Sequence, residues 1–143
     1  MLKAKFEKQL KQGHKYELEA LKYLVYDEYE HDKGYNKYYD LIIKHNDIKI
    51  KVEVKSDRQA SKTGNLCIEY EYNNKPSGIN ITEAELFIYF IVYEDRDECY
   101  LFKTEELKKL CIGKKKVLGG DGYKSKCYLL NKKYLTDYII KKK

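Results

Sequence analysis

The stretch Tyr38–Ser56, YYDLIIKHNDIKIKVEVKS, decides how the rest of the chain is read. It divides into two alternating halves, Tyr38–His45 and Ile48–Ser56, about Asn46-Asp47, a dipeptide suited to a two-residue hairpin loop. With that loop His45 faces Ile48, Ile43 faces Ile50, Leu41 faces Val52 and Tyr39 faces Val54, which makes one apolar face. On the other face Asp40 lies opposite Glu53, and Lys55 follows two positions on, because side chains alternate along a strand. Any symmetric widening of the loop preserves this register.

Two carboxylates directly opposed have Cβ atoms about 5 Å apart and repel. A strand pair built for stability alone avoids that. The arrangement makes sense around a divalent cation, since Mg²⁺ takes hard oxygen ligands. Lys55 is then placed to touch whatever the cation activates. The structural alternative is a surface hairpin whose polar stripe, Lys51, Glu53 and Lys55, relieves the repulsion from beside it.

Working outward, residues 3–28 read as helix, with an interruption expected at Gly13. Its apolar stripes are Phe6 and Leu10, then Leu18, Leu21, Leu24 and Val25. Glu17 borders the second stripe, whereas Glu19 points away and is expected to be exposed. A carboxylate at the edge of a buried face is costly unless it is paired or metal-linked; the plain alternative pairs it with Lys22. Residues 27–37 are polar and lead into the hairpin. Beyond it come a basic loop, 57–64, and a third alternating strand, 65–72. If that strand lies beside Ile48–Ser56, Glu69 shares the carboxylate face; otherwise it faces solvent.

Residues 82–85 read as a helix start or short turn. Leu86–Tyr93, LFIYFIVY, suits a strand buried on both faces, and Cys99–Lys103 returns as its hairpin partner. Thr104–Leu110 reads as a helix with Thr104 as N-cap. Gly113–Lys126, rich in glycine and lysine, reads as the least ordered stretch, either a solvated turn or, if the carboxylate site acts on DNA, a source of phosphate contacts. A short strand, 127–130, a closing helix, 132–140, and a basic tail complete the chain.

A length of 143 residues suits one domain with a proper core. The apolar share of 43% excludes a disordered chain, and the net charge of +6 is compatible with a polyanionic partner without requiring one. No apolar run is long enough to span a bilayer, and MLKAKFEKQLKQ is not a signal peptide, so a soluble, intracellular (cytoplasmic) protein is expected. Cys67, Cys99, Cys111 and Cys127 lack zinc-site spacing and read as free thiols. His14, His31 and His45 form no metal-binding motif.

An aspartate followed by Glu-x-Lys on the next strand, here Asp40 and then Glu53-Val54-Lys55, resembles the PD-(D/E)XK nuclease superfamily. In size and element order the chain resembles its small phage and archaeal Holliday junction resolvase-type members. The resemblance covers roughly the first two-thirds of the chain; Tyr39 stands where the motif's proline would be. It implies an α/β, restriction endonuclease-like fold, a mixed central β-sheet flanked by helices, as one domain over residues 1–143. It also implies a metal-dependent DNA endonuclease using Mg²⁺, with Mn²⁺ as a substitute. Asp40, Glu53 and the Val54 carbonyl would be ligands, Glu17 would complete the site from the first helix, and Lys55 would orient the attacking water. Glu69 is an additional candidate. Lys62, Lys114, Lys115, Lys116, Lys124 and Lys126 are the candidate DNA contacts, and symmetric cutting of a junction implies a two-fold homodimer. The rivals are a restriction-like or DNA-processing nuclease of a phage or mobile element, an inactive nucleic-acid-binding module of the same fold, and a partner-binding domain.

Overall fold

The computed structural model describes residues 2–31, 36, 38–119, 122 and 124–143. Among these residues, ten strands and three α-helices follow one another as α1 (Leu2–Ala20), β1 (Glu28–His31), β2 (Leu41–His45), β3 (Ile48–Asp57), α2 (Ala60–Thr63), β4 (Asn65–Tyr72), β5 (Lys75–Pro76), β6 (Leu86–Val92), β7 (Asp97–Lys103), α3 (Thr104–Cys111), β8 (Lys116–Gly119), β9 (Ser125–Asn131) and β10 (Ile139–Ile140). Six strands form a mixed sheet in the order β1-β2-β3-β6-β7-β10, and four form a second sheet, β5-β4-β9-β8. In the larger sheet only β3 and β6 run parallel.

The hairpin forms in the expected register, with Leu41 opposite Val52, Ile43 opposite Ile50 and His45 opposite Ile48. Asn46 and Asp47 both take positive φ, 51° and 65°. That is the backbone of a two-residue turn whose twist matches the flanking strands. Strand β6 is buried on both faces, and its alternation divides the core in two. Ile88, Phe90 and Val92 join Leu41, Ile43 and Val52 under the end of α1, where Tyr16, Ala20, Leu21 and Leu24 cover them. Phe87, Tyr89 and Ile91 face the opposite way and pack on Leu66, Ile68 and Leu130 of the second sheet and Leu107 of α3. The mixed sheet therefore lies between a helical layer and a layer made of the second sheet and α3.

Several elements differ from the expectation. Helix α1 runs unbroken through Gly13 and ends at Ala20; a 3-10 turn over Leu21–Tyr23 follows, and Leu24 is extended. Tyr16, Glu17 and Ala20 of the helix and Leu21 and Leu24 just beyond it are buried, while Leu18 and Val25 are exposed. Strand β1 was not expected, because EYEH alternates no apolar residues; it forms by pairing with β2. Thr104 is not the N-cap of α3. Lys103 holds that position and Thr104 begins the helix, with its Oγ1 buried and without a partner among the described residues.

Strand β4 does not lie beside β3. It belongs to the second sheet, between β5 and β9, and the place beside β3 is taken by β6. Much of the Gly113–Lys126 stretch is ordered as the β8–β9 hairpin; Gly120, Asp121 and Tyr123 lie outside the described residues. No closing helix forms over 132–140. Two 3-10 turns bury Leu135 and bring the Tyr138 ring to 4.9 Å from Phe102, and the chain then extends as β10 to complete the edge at β7. Among the described residues, no helix is long and apolar enough to cross a membrane.

Candidate active site

The site gathers where β2 begins and β3 continues past it to pair with β6. In-register partners in a sheet share a face. The parallel ladder puts Glu53 beside Phe87, Lys55 beside Tyr89 and Asp57 beside Ile91, so all three point toward the second sheet. Asp40 lies one residue before β2. Its N–H donates to the Val52 carbonyl at 2.9 Å, and its Oδ2 accepts from the Val54 N–H at 2.7 Å. The Asp40 carboxylate is thus fixed against β3 by the backbone of the Glu-x-Lys segment itself.

Asp40, Glu53, Val54 and Lys55 line one cavity of about 220 Å³, and Glu69 and Ser77 reach it from the second sheet. The Glu53 Oε2 is buried and has no hydrogen-bond partner among the described residues. An unpartnered buried carboxylate oxygen is expensive. Burial, then the neighbouring Asp40 charge, pushes the Glu53 carboxyl well above its ordinary range, while Lys55 pulls it down and Glu17 adds to the rise. Burial likewise raises Asp40, against the Val54 N–H, with Glu17 raising it further and His31 and Lys55 lowering it. Both carboxyls are shifted the same way, so ionising the pair is costly unless a cation joins it.

Glu17 stands in the buried stripe of α1, at 9% exposure, and its field reaches both Asp40 and Glu53. Its Oε1 lies 2.6 Å from His31 Nε2. The pairing with Lys22 does not occur; Lys22 bonds Glu19 at 3.0 Å, and Lys142 reaches the same carboxylate at 3.1 Å. Glu19 is consequently less exposed than helix phase alone suggested.

Lys55 is exposed at the rim and makes no hydrogen bond or ion pair among the described residues. It also borders a second hollow shared with Gln12, Gly13 and Tyr16 of α1. Asp57, on the same face, is fully engaged elsewhere. It accepts from Tyr89 Oη at 2.5 Å and from the Gln59 and Ala60 N–H groups at 2.8 and 3.2 Å.

Glu69 comes to the cavity by a different route from the one expected: not from a strand beside β3, but across the gap between sheets, where its Oε2 accepts from Ser77 Oγ at 3.1 Å. The expected DNA contacts divide. Lys114, Lys115 and Lys116 follow α3 in one exposed run, Lys62 lies in the last turn of α2, and Lys124 precedes β9, all exposed. Lys126 is tied to Glu71 at 3.0 Å.

Sequence reading missed His31. It is held by Glu17, acts on Asp40, and its Nδ1 is buried without a partner among the described residues. No signal in EYEH marks it, because its place depends on β1 joining the sheet.

Among the described residues, no three His, Cys, Asp or Glu side chains converge into a ready-made metal cluster. The available donor set is the Asp40–Glu53 pair, with Glu17 nearby and held by His31. No protein-family model, no curated protein and no solved structure matches this chain.

Proposed function

We propose that the chain is a metal-dependent DNA endonuclease of the PD-(D/E)XK kind, with a restriction endonuclease-like arrangement of its mixed sheet and a preference for branched DNA such as a Holliday junction. One observation carries this reading. The Glu53 carboxyl is packed against Asp40 with a buried oxygen that has no donor among the described residues, two positions before Lys55 on the same strand face, an exposed lysine with no partner among those residues. A structural carboxylate pair would be satisfied by hydrogen bonds or by that lysine. This one is left incomplete, in the way expected of residues that close around a cation.

The donor set fits Mg²⁺, which keeps several waters and takes one or two carboxylates together with substrate phosphate oxygens. Asp40 and Glu53 would hold it, with the Val54 carbonyl as a further donor, and Mn²⁺ would substitute. When bound, the ion lowers the charge on the scissile phosphate and activates water for attack. The chain's own residues supply the rest. The Val54 N–H orients the Asp40 carboxylate before substrate arrives. Lys55, exposed at the rim, donates hydrogen bonds to the attacking water or to a non-bridging phosphate oxygen, where charge develops. Hydrolysis forms a water–phosphorus bond and breaks the bond to the 3′ oxygen, which leaves as a hydroxyl. Glu17, oriented by His31, adds negative charge on the helix side and completes the carboxylate set. Symmetric cutting of a four-way junction calls for a homodimer with a two-fold axis.

The test places wild type and Lys55→Ala on a labelled four-way junction and a matched linear duplex with Mg²⁺, Mn²⁺ or EDTA. Metal-dependent nicking, absent in Lys55→Ala and stronger on the junction, is the expected result. Nicking that favours the duplex would replace the resolvase assignment with a restriction-like or processing nuclease. Salt-sensitive binding without cleavage under either metal would reduce the protein to a binding module of the same fold.

A further inference from the structure

Behind the wall of the candidate active site lies a second hollow. The 3-10 turn Gly78–Asn80 separates the two: Ser77, Gly78 and Ile81 border the Asp40–Glu53 cavity, while Ile79 and Asn80 border a cavity of about 270 Å³ on the other side. Gly78 has φ +50°, and a Cβ there would meet the Glu69 carbonyl oxygen at 2.2 Å, so the turn is pressed directly onto β4.

The second cavity is apolar inside and basic at its mouth. Ile79, Ile112 and Tyr128 line it, and Ile112 is 78% exposed. The Tyr128 ring is stacked on Tyr70 at 4.5 Å with a 34° tilt, and Lys116 Nζ lies 5.8 and 5.9 Å from the two ring centres. Lys108 and Lys109 complete the lining, and Lys114 and Lys115 continue the rim. These five lysines are exposed and, among the described residues, none has a carboxylate partner. Some lysines elsewhere, Lys22, Lys51, Lys126, Lys132 and Lys142 among them, are in ion pairs, and others such as Lys55 are not; what marks this group is five such cations gathered at one aromatic-lined cavity. Unpaired cations crowded around an aromatic floor repel one another. They become favourable when a polyanion with flat, apolar faces lies across them.

We propose that this cavity and its lysine rim bind single-stranded nucleic acid, with one base entering beside Tyr128 and the flanking phosphates lying on Lys108, Lys109 and Lys114–Lys116. The inference rests on reading the Asp40–Glu53 cavity as acting on DNA, since a strand crossing the Gly78 turn passes from one cavity to the other. It assigns the unpaired bases near a branch to the second cavity and the scissile phosphate to the first. Base–aromatic stacking supplies affinity without sequence preference, and the lysines supply its salt dependence.

The experiment measures fluorescence anisotropy of a labelled short oligothymidylate and of an abasic chain of equal length, in EDTA, at several salt concentrations. Wild type should bind the oligothymidylate roughly 5–100-fold more tightly than the abasic chain. Lys108→Glu/Lys109→Glu, both on the surface, should weaken binding to both and lower the salt slope by about 1.4. Tyr128→Leu should bring the oligothymidylate down to the abasic level, whereas Tyr128→Phe should keep the difference. Should Tyr128→Leu fail to fold, the wild-type comparison and the lysine variant decide. Equal wild-type affinity for the two chains, or competition by polyglutamate as effective as by oligothymidylate, overturns the proposal in favour of a site for acidic protein. Base-selective binding without any cleavage would remove the nuclease reading and leave this site standing; cleavage without base selectivity would do the reverse.

Discussion

Replacing Glu53 by glutamine should make the metal-free protein more stable at pH 8, although the residue lies in the candidate active site. Wild type buries the Glu53 carboxyl beside Asp40 with an oxygen that has no donor among the described residues. Its folded pKa is raised, so over a range of pH the folded protein holds a proton that the unfolded chain has released. Stability therefore falls as pH rises from the ordinary carboxylate range, about 4–4.5, up through the raised folded values. Each unit of that rise costs about 1.4 kcal/mol. Glutamine keeps the shape, carries no charge and can donate to Asp40. The gain at pH 8 should thus be at least ~1.4 kcal/mol, or roughly 4–6 °C in Tm for a chain of this size, and it should vanish near pH 4. Magnesium shifts the comparison back toward wild type, because a cation bound only by the folded wild type adds about 2.7 kcal/mol at a hundredfold excess over Kd. Thermal unfolding followed by circular dichroism between pH 4 and 8, with EDTA or Mg²⁺, reads all of this. A lower Tm for Glu53→Gln at pH 8 in EDTA, or an equal Mg²⁺ response in both proteins, would refute the reasoning.

Lys55→Ala should unfold within ~0.5 kcal/mol of wild type, since the side chain is exposed and has no partner among the described residues, yet lose metal-dependent cleavage; matched melts and nicking assays separate the two effects. Gly78→Ala should cost roughly 2–3 kcal/mol by urea unfolding, because its backbone is left-handed and its Cβ would strike the Glu69 carbonyl. Tyr89→Phe removes a hydroxyl that donates to Asp57 and accepts from the Cys67 N–H at 3.1 Å, so denaturant unfolding should show a loss of about 1–3 kcal/mol. Asp47→Gly should be neutral or stabilising by up to ~1 kcal/mol in the same assay, because φ 65° suits glycine better than aspartate.

The sequence by itself determined the parts of this protein whose physics is local. Alternation with period two and the Asn46-Asp47 turn fixed the β2–β3 register, and with it the opposition of Asp40 and Glu53 and the side on which Lys55 stands. The unbroken apolar run of β6 required cover on both faces, and it has it. Helix phase put Glu17 at the buried stripe of α1. What only the tertiary structure decided concerns the edges and the far side of the sheet. Strand β1 carries no apolar alternation and exists because β2 offers it an open edge, and His31 reaches Glu17 through that pairing alone. Residues 132–140 have enough apolar side chains for a helix, but the free edge of β7 draws Ile139 and Ile140 into extended pairing. Glu69 borders the Asp40–Glu53 cavity although the condition set for it, a strand beside β3, is not met. Its strand alternates as expected, yet nothing local states whether it joins β3 or β9, because strand pairing is a choice among partners distant in sequence. The same non-local choice sets Tyr128, Lys108 and Lys116 around one cavity and backs it onto the candidate active site through a turn centred on a single glycine.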